Sequence, residues 1–85
     1  MHELSAAGGH RVLILHARHL ADAEQVIEAV RDHQAVVLNT GGAEEALAQR
    51  LIDFACGGIE AIDGQAHRLS EEAFLFCPGY VAVEP

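Results

Sequence analysis

The sequence has no lysine and no tryptophan, and it carries only two cysteines and two prolines. Its five basic residues, all arginine, stand against 13 acids and leave a formal net charge of −8. Such a balance repels nucleic-acid phosphates and anionic lipid headgroups, so neither class of partner is expected. The apolar runs, residues 12–15 and 35–38 among them, are a few residues long, far below the ~20 that a membrane-spanning helix requires. The first ten residues lack both a basic start and an apolar stretch, which excludes a secretion signal and an amphipathic anchor. Membrane contact is therefore not expected of this chain, and residues 1–10 read as a loose leader to a single domain over 11–85. Cys56 and Cys77 form neither a C-x-x-C pair nor a dense framework, so two reduced thiols in a cytoplasmic protein are expected. Aromatics are only 5% of the chain while hydrophobic residues reach 51%, which excludes disorder and assigns the core to Val, Ile, Leu and Ala.

What is present reads as an α/β domain. Residues 11–16 (Arg-Val-Leu-Ile-Leu-His) are β-branched and apolar without alternation, suiting a strand buried on both faces. Asp22 with Gln25 has the form of a capping box, and Ala23, Val26, Ile27 and Val30 recur at helical spacing. Residues 35–38 form a second strand, parallel to the first across that helix. A second helix runs over about 43–56 with Leu47, Ala48, Leu51, Ile52 and Ala55 inward, and Gly57-Gly58 supply its stop. Residues 59–62 and 65–69 flank Asp63-Gly64, a two-residue hairpin signal, and further strands are expected at 73–77 and at 80–83. The order is β-α-β-α-β-β-β: two helices on one face of a roughly five-stranded mixed sheet. Strands apolar on consecutive residues leave the other sheet face in need of a cover. The expected cover is a second copy, a dimer through the sheet burying roughly 600–800 Å² per subunit.

Few constellations point to chemistry. His16 and His19 lie three apart in a loop, and the other four histidines are scattered, so no metal site or other cofactor is expected. Neither serine has a nucleophile-elbow context and neither cysteine a histidine nearby, so the chain is not expected to be an enzyme. Asn39-Thr40-Gly41-Gly42 precedes a helix and could hold an anion, making a small-ligand regulatory domain the alternative reading. It lacks a P-loop lysine, Glu44 and Glu45 would repel a phosphate, and capping by Thr40 or Asn39 is the simpler role. Arg68 and Phe74 fall on neighbouring strands, where a cation beside an aromatic can grip a peptide, although on spacing alone a solvated Arg68 and a core Phe74 are the simpler reading.

Taken together, Ala35-Val36-Val37-Leu38-Asn39, Ala48-Gln49-Arg50-Leu51-Ile52-Asp53-Phe54 followed by Gly57, Ala61-Ile62-Asp63-Gly64, and Phe74-Leu75-Phe76-Cys77-Pro78 with Val81 resemble the core domain of SepF. SepF proteins are bacterial cell-division proteins. The resemblance covers residues 35–83 well and 11–34 loosely. It implies an α/β domain that dimerises, can assemble further, and binds the C-terminal tail of FtsZ at the division site. It places Arg68 and Phe74 in the tail-binding pocket formed at the dimer, with Gln49, Arg50, Asp53 and Phe54 of the second helix beside them. It assigns self-association to Gly57, Gly58, Ile59 and Phe76. Family members usually carry an N-terminal membrane-binding helix and an acidic linker, which are not recognisable in this sequence.

Overall fold

The computed structural model describes residues 2–5 and 11–79. In chain order the elements are β1 (His2–Ser5), β2 (Arg11–His16), α1 (Asp22–Arg31), β3 (Ala35–Asn39), α2 (Glu45–Ala61), β4 (Gln65–Arg68) and β5 (Ala73–Cys77). The strands lie in the order β1-β2-β3-β5-β4, with β2 and β3 parallel and the other neighbours antiparallel. The result is an open, mixed four-stranded sheet, extended at the β2 edge by the short β1. That strand lies where a loose leader is expected from the sequence. The segment 80–83, expected as an edge strand, lies outside the described residues.

Residues opposite each other in a sheet share a face, so the register sorts the side chains. Leu13, Val36 and Phe76 form one cross-strand row, and Leu38 and Phe74 are directly paired in the next. These belong to a single core cluster with Ala23, Val26 and Val30 of α1 and Leu51, Ala55 and Ile59 of α2. Both helices therefore cover the same face. The opposite face carries Val12, Ile14, Val37 and Leu75, each half-buried. The unalternating apolarity of β2 and β3 reflects this arrangement: one parity packs under the helices and the other stands on the uncovered face.

The residue range 59–62, expected as a strand, is instead the end of α2, and Gly57-Gly58 do not stop the helix. Ile59 continues the inward stripe Leu51-Ala55-Ile59 at i, i+4 spacing, and burying such a side chain is worth roughly 1.5–3 kcal/mol. That outweighs the ~1 kcal/mol that a helical glycine costs. Gly58 faces α1, where an added Cβ would meet Ile27 Cδ1 at 2.1 Å, so its missing side chain lets the helices approach.

Asp63-Gly64 is likewise not a hairpin turn. Asp63 adopts φ 58°, its N–H donates to the Glu60 carbonyl, and the Gly64 N–H donates to the Ile59 carbonyl at 2.8 Å. This pair of bonds is the Schellman ending of a helix. The same pattern closes α1 at His33 (φ 67°) with Gln34 donating to Ala29. A type I′ turn and a Schellman ending both need a residue at positive φ, so Asp-Gly signals either one.

Two expected caps differ. Asp22 reaches back, its Oδ2 accepting from the Arg18 and His19 N–H groups at 2.8 and 3.0 Å, and so fastens the loop before α1. Neither Asn39 nor Thr40 caps α2, whose N-cap position is Glu44 without a side-chain bond. Asn39 Oδ1 instead accepts from the Gly41 N–H, an Asx turn.

Candidate partner-binding groove

The hairpin of β4 and β5 places Arg68 directly opposite Phe74. The Arg68 guanidinium lies 5.6 Å from the centre of the Phe74 ring, within cation-π range. Its Nε–H donates to the Ser70 carbonyl at 3.2 Å, a second hold on the head of this exposed side chain. Phe74 stacks on Phe76, with ring centres 6.1 Å apart and planes 17° apart. Phe76 is fully buried, so the half-buried Phe74 is the exposed end of an aromatic pair rooted in the core.

The hairpin loop is tied to the segment before α2. The Thr40 N–H donates to the Glu72 carbonyl at 2.8 Å, and the Thr40 hydroxyl donates to the same oxygen at 3.3 Å. Thr40 is 3% exposed, so this link is largely shielded from competing water. It sets the hairpin tip beside the first turns of α2. Between them runs a groove of about 670 Å³, with Ala48, Gln49 and Ile52 on the helix side and Arg68 and Phe74 on the sheet side. Glu45, Glu71 and Glu72 line it as well.

The expected partner-binding residues of α2 divide between two faces. Gln49 lines the groove, and its amide donates to Asp53 Oδ1 at 2.8 Å, one helical turn on. Asp53 thus orients a groove residue without lining the groove. Arg50 and Phe54 do not line it; consecutive helical residues diverge by 100°, and Phe54 stands 44% exposed on the outer face. Of the residues expected to mediate self-association, Gly57 is exposed with open space around it. Ile59 and Phe76 are 1% and 0% exposed and offer no side chain to a second copy, while Gly58 is taken up by Ile27 of the same chain.

From the sequence Thr40, Glu45, Ala48 and Ile52 carry other roles, a loop cap, a helix start and an inward stripe, and Glu71 and Glu72 carry none. The spacing Glu45, Ala48, Gln49, Ile52 does mark one stripe of α2. Only the register of the hairpin shows what that stripe faces.

Burial pushes both the Cys56 and Cys77 thiols up, with Asp53 and Glu60 adding to the effect at Cys56, so neither is poised as a thiolate. Among the described residues no group of three or more His, Cys, Asp or Glu side chains is placed to hold a metal ion. No helix among them is long and apolar enough to cross a membrane.

With this geometry in place, comparison with known proteins is decisive about kinship. A family model described as Cell division protein SepF matches residues 12–83. The chain belongs to the SepF family. The cell division protein SepF of Trichormus variabilis is 41% identical over 76 residues, covering 89% of this chain and 38% of that protein. SepF of Synechococcus sp. strain RCC307 is 39% identical over 72 residues, covering 85% of the chain and 39% of the relative. The chain thus spans under two-fifths of the length of these curated SepF relatives. A SepF-like protein from Archaeoglobus fulgidus superposes with a TM-score of 0.75 at 15% identity, covering 86% of this chain and 90% of that one, which places the two in one fold.

Proposed function

We propose that this SepF domain is a homodimeric adaptor at the cytoplasmic division site, and that its groove between α2 and the β4–β5 hairpin holds the C-terminal tail of FtsZ. The observation that carries the reading is Arg68 fixed over Phe74 in an open groove. An apolar side chain of the tail seats on Phe74 and Ile52, and the guanidinium donates to a tail carbonyl. Buried aromatics and arginines supply most of the energy in such peptide sites. FtsZ as the partner comes from family membership; the groove supplies a place of suitable chemistry.

The dimer reading rests on the uncovered sheet face. Val12, Ile14, Val37 and Leu75 make an apolar stripe there, and an isologous contact of two such stripes covers both at once. Tail binding and dimerisation then use opposite sides of the sheet, so each can be removed without the other. The small-anion alternative finds no support at Gly41, since the Glu72 carboxylate already lies against that loop, 2.7 Å from where a Cβ would stand.

The test is a titration of FtsZ tail peptide against wild type, Phe74→Ala and Arg68→Glu, with sedimentation of each. Both variants should bind the peptide at least tenfold more weakly, as expected for a loss of ~1.4 kcal/mol or more, while remaining dimers. Wild-type affinity in both removes these residues from the site, and a well-folded micromolar monomer removes the dimer.

A further inference from the structure

The groove is unevenly charged. Three carboxylates, those of Glu45, Glu71 and Glu72, share it with one guanidinium, that of Arg68. Arg68 is already engaged with the Phe74 ring and the Ser70 carbonyl, whereas Glu71 is exposed in the hairpin loop and Glu45 at the start of α2. Glu72 is held beside them by its backbone, whose carbonyl accepts both Thr40 bonds. A groove of this size keeps its charges within about one Debye length (~8 Å) of any occupant, so they are only partly screened. A purely acidic segment would gain one partner there and meet three like charges.

We propose that the groove selects a partner segment carrying a basic side chain next to its apolar anchor, the base facing Glu71 and Glu72 while the anchor rests on Phe74. This rests on the reading that the groove holds a peptide, and it fixes the charge of that peptide. The carboxylates give discrimination as well as attraction: they turn away acidic segments, including those of other copies of this chain, whose net charge is −8.

The experiment uses three fluorescent synthetic peptides that share a Phe-Leu anchor and carry two adjacent lysines, glutamines or glutamates. Anisotropy titration should rank them lysine, glutamine, glutamate, with about tenfold between the extremes at low salt and less as salt rises. Glu71→Lys should narrow that ratio, and the double variant Glu71→Lys/Glu72→Lys should invert it, with circular dichroism confirming that both fold. Phe74→Ala should weaken all three peptides and abolish the ranking.

Equal affinity for the three peptides, with Phe74→Ala still weakening them, overturns the charge selection and leaves the groove reading intact. A lysine preference that survives Phe74→Ala overturns it too, because it would reflect bulk attraction to an acidic chain. Binding that ignores Phe74→Ala in every peptide overturns the groove reading and this inference with it.

Discussion

Alanine at Gly57 and alanine at Gly58 should shift stability in opposite directions, although the two positions adjoin on one helix. At Gly57 an added Cβ meets nothing within 4 Å, so the substitution gains helix propensity, about 0.8–1 kcal/mol. At Gly58 the same gain is available, but the Cβ would stand 2.1 Å from Ile27 Cδ1 and 2.7 Å from Cγ1. Rotating the terminal methyl relieves the first contact only. The second requires a shift at χ1, which is stiff for a β-branched residue in a helix. Overpacking of this kind costs about 1–3 kcal/mol, leaving Gly58→Ala a net loss of up to about 2 kcal/mol. In a domain this small each kcal/mol moves the melting temperature by roughly 4–8 °C. Urea unfolding should be followed at fixed protomer concentration, because association adds to apparent stability. Ile27→Ala should relieve the penalty, so that Gly58→Ala becomes favourable in that background. An unfolding midpoint raised as much by Gly58→Ala as by Gly57→Ala would refute the close approach of α1 and α2.

Asp63→Gly should stabilise the protein by about 0.5–1 kcal/mol in the same assay, since glycine takes the positive φ of a helix ending without the strain of a side chain. Asp22→Ala should cost about 1 kcal/mol at neutral pH by releasing the Arg18 and His19 N–H groups. Those bonds hold the Asp22 carboxyl below its ordinary 3.8, so its contribution is present above that value and lost as pH falls through the lower folded one. The gap between wild type and variant should therefore close in acid; a gap that persists would separate the effect from ionisation. Val37→Lys, at the centre of the uncovered sheet face, should give a folded monomer by sedimentation that still binds tail peptide. Loss of peptide binding together with the dimer would mean that the groove is completed by the second copy.

The two-layer α/β plan was legible because each element carries a strong local signal: β2 and β3 in their β-branched runs, α1 in the recurrence of Ala23, Val26 and Val30. The end of α2 was misread where local signals point the wrong way. Gly57-Gly58 and Asp63-Gly64 are punctuation in most sequences. Here the glycines serve helix contact, and the Asp-Gly pair serves a helix ending, because Ile59 must reach the core. Of the binding pair, Arg68 and Phe74 were legible as neighbours on adjacent strands. The family resemblance groups Arg50 and Phe54 with Gln49 as one helix segment, and a helix turns such neighbours onto different faces. The acidic lining of the groove was out of reach, since it depends on Thr40 drawing the hairpin loop toward α2, a contact spanning 32 residues.

The most direct measurement is amide chemical-shift mapping of isotopically labelled protein during titration with FtsZ tail peptide. The largest shifts should fall on Thr40, Gly41, Gln49, Ile52, Arg68 and Phe74, around the groove. Shifts gathered instead on Arg50, Phe54 and Gly57 of the outer helix face, or on Ile14, Val37 and Leu75 of the uncovered sheet, would contradict the assignment of the groove as the tail site.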